Sequence, residues 1–193
     1  MIELTNLTKQ YGRTLAVDHL SLAVRKGEIF GFIGPNGAGK TTTIRMMAGV
    51  LGPTEGTVRI DGIPMAADPE AAKRVIGFIP DRPFLYEKLT GMEFMRFIAD
   101  LYGCGNGLFR ENAEGLLIRF SLYDWADQLI EAYSHGMKQR LVIASALLHD
   151  PRVIIVDEPM VGLDPAGSGW SRTSSGSWPA GGLPYSCPPI PWR

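Results

Sequence analysis

Hydrophobic and polar residues alternate in the first part of the chain with the two-residue period of β-strands. Met1–Leu7 and Ala16–Val24 both show this alternation, which predicts two strands of a small antiparallel sheet. Glu28–Ile33 is nearly continuous in its apolar character, as a strand buried on both faces would be. The N-terminal region is therefore expected to combine two architectures: a small antiparallel sheet, and a strand that is buried on both faces.

Two further strands are predicted at Gly56–Ile60 and Val75–Ile79. They are separated by the turn Asp61-Gly62 and by a short helix that ends near Arg74. Strands and a helix alternate in this region, which favours an α/β fold.

From Thr90 onward the period changes to that of a helix. After the break Gly103–Gly107 a second helix is expected, and a third is expected at His135–His149. Residues from about 90 to 135 are thus predicted to form a helical insert. Its aromatic and methionine stripe is assigned to the core, with a groove that faces a partner as the alternative. The apolar positions of the first two helices are Met92, Phe94, Met95, Phe97, Ile98, Leu101, Leu116, Leu117 and Phe120.

A glycine-rich loop lies between the predicted strand Glu28–Ile33 and a helix-like run that begins at Thr42. Gly34–Thr41 reads G-x-x-x-x-G-K-[ST], and strand, loop and helix in this order are the setting in which such a loop binds phosphate. An ordinary glycine-rich turn is the alternative, which this setting disfavours. The residues expected to bind nucleotide here are Gly34, Pro35, Asn36, Gly37, Ala38, Gly39, Lys40, Thr41 and Thr42.

Each residue type in this loop has a physical task. Glycines let successive N–H groups point into one concavity, and the following helix adds its own unpaired N–H groups and positive dipole end. The loop should hold the β-phosphate, and Lys40 should neutralise charge on the β- and γ-phosphates. The Thr41 hydroxyl should be a ligand of the magnesium ion that nucleotides carry. The cofactors expected are therefore ATP and Mg²⁺.

A further predicted strand is followed directly by two acidic residues. Four aliphatic residues, Val153–Val156, are followed by Asp157 and Glu158, and the carboxyl edge of an α/β sheet is where ligands bind. Asp157 has the place of the acid that holds Mg²⁺, usually through water. Glu158 has the place of the base that orients and deprotonates an attacking water. Alone this pair would be an ordinary solvated turn, but the phosphate loop on the same sheet favours the functional interpretation.

Composition limits the classes of protein. With 193 residues of which 45% are hydrophobic, the chain can bury one sizeable core. A net charge of −1 gives no overall basic footprint for nucleic acid or anionic lipid. Cys104 and Cys187 have no partner at metal or redox spacing and are expected to be reduced, which indicates a cytosolic setting. No apolar run approaches the length of a membrane span, so a membrane role is expected to come through a partner.

The motifs together resemble those of the nucleotide-binding subunit of an ATP-binding cassette (ABC) transporter. The likeness runs from Met1 to about Pro165: Gly34–Thr41 resembles the Walker A loop and Val153–Glu158 the Walker B strand. Tyr133–Arg140, which reads YSHGMKQR, resembles the family signature L-S-G-G-Q-x-Q-R. The resemblance implies a P-loop ATPase core of the α/β class in a domain spanning 1–165, with an N-terminal antiparallel β subdomain and a helical insert.

The signature also has a physical sense of its own. Ser134 can cap the helix that follows, and its hydroxyl together with the first helical N–H groups, Gly136 among them, forms an anion site. The glycine loop already holds one nucleotide, so a second anion site has a function if it contacts the nucleotide that another copy of the chain binds. The resemblance thus implies a head-to-tail dimer with two ATP molecules between subunits, and Asp164 matches the D-loop that crosses this interface.

Other positions match the family in part. Tyr11 corresponds to the aromatic residue that stacks on adenine, with Val17 beside it, although Tyr11 alone would be read as an exposed turn residue. Asp81 stands where the family has the Q-loop glutamine, and its shorter anionic side chain suits a Mg²⁺ or water contact better than direct sensing of the γ-phosphate. In the signature, His135 and Met137 replace Gly and Gln, which alters the donors of the anion site.

The sequence departs from the family after Pro165. Ala166–Arg193 contains three of the four tryptophans, five prolines, five glycines and six serines, but no acidic residue and no switch histidine. Such a composition cannot form the amphipathic helix that the resemblance implies there. The preferred interpretation is a reading frame that leaves the ancestral one near Ala166 or Gly167, so that the C-terminal part of the domain is missing. A disordered linker or a Pro/aromatic ligand for a partner domain are the alternatives.

Two classes of function fit these observations. The first is an ATPase subunit that powers a membrane transporter, at the cytoplasmic face of the membrane and bound to a membrane-spanning subunit. The second is a soluble cassette ATPase that acts on DNA or the ribosome, which the lack of a basic tail, a coiled-coil insert and a nucleic-acid footprint disfavours. Arg82–Thr90 resembles the segment that faces the membrane partner in single-cassette bacterial exporters, so export is favoured over import.

Overall fold

The computed structural model describes residues 1–82 and 84–157, which divide into two units. The first unit is Met1–Phe78 together with Pro151–Asp157, and the described part of the second is 79–150. Strands and helices alternate as the sequence predicts, and the α/β fold with an antiparallel β subdomain and helices is confirmed.

An antiparallel sheet of four strands dominates the first unit. Its strands lie in the order β2-β1-β3-β4, and every neighbouring pair is antiparallel. The predicted turn Asp61-Gly62 is the two-residue loop between β3 and β4, with φ angles of 51° and 81°. Positive φ at both positions is typical of a tight hairpin turn, and it is why Asp-Gly is suited to this place. The strands are β1 (Ile2–Tyr11), β2 (Thr14–Val24), β3 (Glu55–Ile60) and β4 (Ile63–Pro64).

Two helices and two more strands complete the first unit. The helices are α1 (Lys40–Met47) and α2 (Pro69–Arg74), and β5 (Ile76–Ile79) and β6 (Val153–Val156) form a two-stranded sheet. Asp68 caps α2 by accepting a hydrogen bond from the Ala71 N–H at 3.0 Å. One apolar cluster joins α1 to the strands, and its members are Leu4, Leu7, Val17, Ile44, Met46, Met47, Ala48, Val58, Ile60, Ile76, Val153 and Ile155.

The predicted strand Glu28–Ile33 is absent. These residues are not in a strand, and Ile29 and Ile33 are 91% and 100% exposed although each would contribute about 1.5–3 kcal/mol if buried. An apolar sequence becomes a strand only where another strand pairs with its N–H and C=O groups. Among the residues that the structure describes, none of the six strands pairs with this segment. The prediction of a buried strand is therefore wrong for this structure.

Helices α3 (Gly91–Leu101), α4 (Asn106–Arg119) and α5 (His135–Leu147) form the second unit, with short 3₁₀ turns at Tyr123–Trp125 and Ile130–Ala132. Thr90 begins α3 with a capping box: its hydroxyl accepts from the Glu93 N–H at 3.2 Å, and the Glu93 carboxylate accepts from the Thr90 N–H at 2.8 Å. Helix α4 starts inside the predicted break. The second half of α5, residues 141–147, is buried on all sides, which accounts for its nearly continuous apolar sequence.

The aromatic stripe of α3 is only partly core. Phe94 and Met95 are buried as predicted, but Phe97 is 37% exposed and its ring lies edge-on to Tyr86, 5.2 Å between centroids. Tyr86 in turn contacts the ring of Phe84, which is 82% exposed. Phe84, Tyr86 and Phe97 thus make an exposed aromatic cluster, and the assignment of Phe97 to the core is wrong.

Candidate nucleotide site

The glycines of the loop 34–41 are required at two positions. Gly37 and Gly39 have φ angles of 82° and 80°, in the left-handed region that other residues rarely adopt. A Cβ on Gly39 would overlap the carbonyl oxygen of Ala16 and lie 3.2 Å from Cγ2 of Val17. The loop therefore rests directly on strand β2, and only glycine allows this approach.

Helix α1 begins where the loop ends. Its N-cap is Gly39, which has no side chain to accept hydrogen bonds from the first turn, and that turn contains no acidic residue. The Thr43 hydroxyl donates to the Gly39 carbonyl oxygen at 2.9 Å and holds the cap in place. An anion placed here would meet N–H donors and the positive end of the helix dipole.

Lys40 lies over its own loop. Its Nζ donates to the carbonyl oxygens of Gly34 and Pro35, both at 2.7 Å. The ammonium group is thus held within the concavity where the sequence predicts phosphate. A phosphate group would compete with these two carbonyls for Lys40, and the competition favours the anion because its charge strengthens the hydrogen bond.

Thr41 and Asp157 are 116 positions apart in sequence but lie close together in the first unit. The Thr41 hydroxyl donates to Oδ1 of Asp157 at 3.2 Å, and Asp157 is only 3% exposed. Adjacent oxygen ligands of an octahedral magnesium ion at about 2.1 Å lie about 3 Å apart. A hydroxyl and a carboxylate at this spacing fit the hard oxygen donors that Mg²⁺ takes, with water completing its shell.

The two residues assigned to adenine differ in accessibility. Tyr11 ends β1 with half of its surface exposed, and Nζ of Lys9 lies 5.3 Å from its ring centroid. Val17 is 7% exposed and belongs to the core cluster, where its side chain supports Gly39. Stacking of adenine on Tyr11 beside Val17 stays a prediction.

The signature residues and Asp81 belong to the second unit. Ser134 is the N-cap of α5, as predicted, and its hydroxyl accepts from the Met137 N–H at 3.3 Å. Gly136 lies in the first turn of that helix. Asp81 is partly exposed, with its carboxylate 3.9 Å from Nε of Arg82. The helix end is therefore capped by Ser134 as predicted, while its role as an anion site for nucleotide stays a prediction.

Glu158 and Asp164 lie outside the described residues, as does the whole of Ala166–Arg193 with Cys187. Their predicted roles as base, D-loop residue and out-of-frame tail stay predictions. Cys104 is buried.

One set of contacts escaped sequence reasoning. The segment after Arg82 is tied to the signature region by two ion pairs, Glu87 to Lys138 at 2.5 Å and Lys88 to Glu131 at 2.6 Å. The hydrogen bond to Glu131 also raises the pKa of Lys88. Partners that lie 51 and 43 positions apart leave no local signal, and only their opposite charges could have suggested the pairs.

No helix within the described part of the chain combines the length and the apolar character needed to cross a bilayer.

The sequence comparison and the structure comparison with known proteins agree with each other. The sequence model of a family described as ABC transporter matches residues 17–161. The bacitracin transport ATP-binding protein BcrA of Bacillus licheniformis is 44% identical over 168 residues, which cover 86% of this chain and 54% of BcrA. The SkfA peptide export ATP-binding protein SkfE of Bacillus subtilis is 41% identical over 170 residues, which cover 88% of this chain and 70% of SkfE. The chain thus spans about half the length of several relatives that it matches.

A solved structure shares the fold. It is a dimeric ATP-binding cassette, MJ0796, in a post-hydrolysis state bound to ADP and Pi. It superposes with a TM-score of 0.76 at 29% identity, covering 86% of this chain and 77% of that one.

Proposed function

The chain belongs to the ABC transporter family, and on that premise we propose that it is the ATP-binding and hydrolysing subunit that powers a membrane exporter. The observation that carries the proposal is the contact of Thr41 with Asp157 beside the glycine loop, because it joins a phosphate cradle to a pair of magnesium ligands.

Phosphate binding is assigned to the loop and to the start of α1. The backbone N–H groups of 34 and 36–42 hold the β-phosphate, and Lys40 leaves the carbonyls of Gly34 and Pro35 to neutralise the γ-phosphate. Tyr11 offers an exposed ring on which adenine stacks.

Thr41 and Asp157 would hold magnesium, with the Thr41 hydroxyl as a direct ligand. When bound, the ion neutralises charge that develops on the phosphates. Asp157 suits this role because burial restricts its carboxylate to a single place. Glu158, the next residue, is assigned to orient and deprotonate the attacking water, and Asp81 to contact magnesium or water.

The site needs a second subunit. Ser134 and Gly136 at the start of α5 are assigned to the γ-phosphate of a nucleotide held by another copy, and Asp164 to the crossing between subunits. The helix end supports this assignment, since the N-terminus of α5 presents backbone N–H groups and the positive end of its dipole to an anion. The solved MJ0796 cassette is a dimer, which supports a dimeric assembly for this chain.

We assign the exposed aromatic cluster Phe84, Tyr86 and Phe97 as the surface that binds the membrane-spanning partner. Exposed aromatic groups mark interaction surfaces, and here Phe84 and Tyr86 lie in the segment that resembles the partner-facing segment of exporters. The subunit would then sit at the cytoplasmic face of the membrane. The names of BcrA and SkfE, which concern bacitracin transport and peptide export, support an exporter.

Co-expression with a multi-span membrane protein tests the proposal, and the candidate is any such protein that sequencing finds encoded next to this chain's gene. We expect the chain to purify with the membrane protein and Tyr86→Asp to reduce recovery about tenfold, since it places a charge in a buried interface. Tyr123→Asp is the matched control, because Tyr123 is 47% exposed against 49% for Tyr86 but lies outside the aromatic cluster. A soluble chain that never binds the membrane protein, or equal losses in the two variants, would contradict the proposal.

A further inference from the structure

The side chains of Lys9 and Tyr11 lie on the same face of strand β1. The two residues are two positions apart on this strand, and alternate residues of a strand share a face of the sheet. Nζ of Lys9 lies over the ring of Tyr11, 5.3 Å from its centroid, which is within reach of a cation–π contact. One face of the Tyr11 ring is therefore covered by a cation from its own strand.

The Lys9 ammonium is also held by a second contact. Its Nζ donates a hydrogen bond to the carbonyl oxygen of Gly52 at 2.7 Å, in the loop between α1 and β3. That loop is tied to β1 at Thr54, whose N–H donates to the Thr8 carbonyl at 2.8 Å and whose hydroxyl accepts from the Gln10 N–H at 3.1 Å. An exposed lysine on its flexible stem moves freely in solvent. Lys9 is half-buried and is instead fixed between a ring and a carbonyl.

The hairpin that carries Lys9 and Tyr11 also contacts the phosphate loop. Beside Lys9 the register of β1 and β2 shifts, and Ala16 is the extra residue of a β-bulge in β2. The Ala16 carbonyl oxygen lies so close to Gly39 that a Cβ there would overlap it. The backbone thus fixes the end of β1 relative to the loop, so the remaining freedom of the base site lies in the Tyr11 side chain.

Support from Lys9 limits that freedom. Half of the surface of Tyr11 is exposed, and since Lys9 takes one face of the ring, a base stacks on the other. A ring without support would occupy several rotamers and lose them on binding, which lowers affinity. A ring that is already held in one orientation avoids most of this loss.

We propose that Lys9 is a positioning residue for the nucleotide base: its ammonium, held by the Gly52 carbonyl, orients the Tyr11 ring so that the opposite face is ready to stack on the base. The inference rests on the proposed function, because it takes Gly34–Thr41 as the site of the phosphates. Lys9 acts through Tyr11 in this role. A cation–π contact at an exposed site changes an equilibrium constant by about two- to fivefold.

Two other roles for Lys9 have less support. A direct contact with phosphate is disfavoured because the ammonium is already engaged by the ring and by Gly52, whereas Lys40 lies within the phosphate loop. A tie that only stabilises the fold would affect every ligand equally, whether or not the ligand has a base. These roles therefore differ in what they predict for a ligand that lacks the base.

Calorimetric titrations of the full chain with ATP and with inorganic tripolyphosphate, both with magnesium, separate these roles. Lys9→Met keeps the long side chain but removes the cation, and we expect about two- to fivefold weaker binding of ATP and unchanged binding of tripolyphosphate. Lys9→Arg keeps a cation that stacks on aromatic rings, so it should bind both ligands like the parent. Lys26→Met is the matched control, since it removes an exposed lysine from the turn after β2, and it should also bind both like the parent.

Two measurements show whether the effect passes through the ring. In the Tyr11→Ala background, which has no ring to orient, adding Lys9→Met should cause no further loss of ATP affinity. In the chain without nucleotide, the NMR signals of the Lys9 ε-protons should be shifted upfield by the ring current of Tyr11. That shift should disappear in Tyr11→Ala.

Several results would overturn the inference. Equal ATP affinities for the parent and Lys9→Met, or the absence of the upfield shift, would reject it and leave the proposed function intact. Equal losses for ATP and tripolyphosphate would assign Lys9 to the phosphates or to the fold. The same loss of ATP affinity in the Tyr11→Ala background would show that Lys9 acts without the ring. A parent chain that binds neither ligand would reject the proposed function, and the inference with it.

Discussion

Single residues of the first unit account for most of the candidate site. The motif from Gly34 to Thr41 could be recognised in the sequence, because few other structures require glycine, lysine and a hydroxyl at those spacings. The contact between Thr41 and Asp157 could also be expected, since the glycine loop and the acid after Val153–Val156 are both predicted at the ligand-binding edge of one sheet. The position of the Lys40 ammonium on the carbonyls of Gly34 and Pro35 could not, because the backbone shape that creates these acceptors is not visible in residue types.

Thr41→Val should reduce the effect of magnesium on ATP binding. The substitution keeps the shape of the side chain but removes the hydroxyl that meets Asp157, so one oxygen ligand is lost. We expect Mg-ATP to bind roughly tenfold more weakly, which is a loss of about 1.4 kcal/mol in binding free energy. Binding of ATP in EDTA should be nearly unchanged. Thr41→Ser keeps the hydroxyl and should bind like the parent. Calorimetric titrations in which the valine and serine variants agree would reject the magnesium assignment.

At the scale of elements, helix α5 combines one feature that was predictable with one that was not. A serine before a helical run is a local signal, and Ser134 does cap α5. The ion pair of Lys138 with Glu87 joins parts of the chain that are distant in sequence, so no periodicity or cap could reveal it. Phe97 shows the same limit, since an amphipathic pattern cannot tell a core face from one that carries an exposed aromatic cluster.

Ser134 allows stability and anion binding to be separated. Ser134→Ala removes the cap and should lower the free energy of unfolding by about 1 kcal/mol, as measured by urea denaturation. Ser134→Asp retains a capping oxygen and should keep most of that stability, but its negative charge should repel the γ-phosphate and prevent ATP-dependent dimerisation. An aspartate variant that dimerises with ATP as the parent does would contradict the assignment of this helix end.

The Glu87–Lys138 pair should transmit the position of the membrane partner to the signature helix. Glu87 is half-exposed, so breaking the pair should change stability by at most about 1 kcal/mol. We expect Glu87→Lys to leave basal ATP hydrolysis unchanged and to lower the stimulation by the membrane protein severalfold. The double variant Glu87→Lys/Lys138→Glu restores the pair and should restore stimulation. If the double variant is as impaired as Glu87→Lys alone, the pair does not carry the coupling.

At the scale of the whole molecule, local sequence patterns predicted the individual strands and helices better than they predicted which of these elements pair with one another. The antiparallel sheet was predictable because its hairpin turn and alternating strands are close in sequence. The state of residues 28–33 was not predictable, because a continuous apolar run predicts burial but does not reveal whether another strand pairs with it. The family's fold is present, while the segment that leads into its phosphate loop is not a strand and pairs with none of the strands of the described residues.

The account depends most on nucleotide binding by the loop, and an ATP titration of the parent chain and Lys40→Ala tests it directly. Lys40 should contribute a charge-assisted hydrogen bond worth about 1.5–3 kcal/mol, so the variant should bind ATP roughly ten- to a hundredfold more weakly. Lys26→Ala, which removes an exposed lysine from the turn after β2, should bind like the parent. Equal titration curves for the parent chain and Lys40→Ala would contradict the assignment of this loop as the nucleotide site.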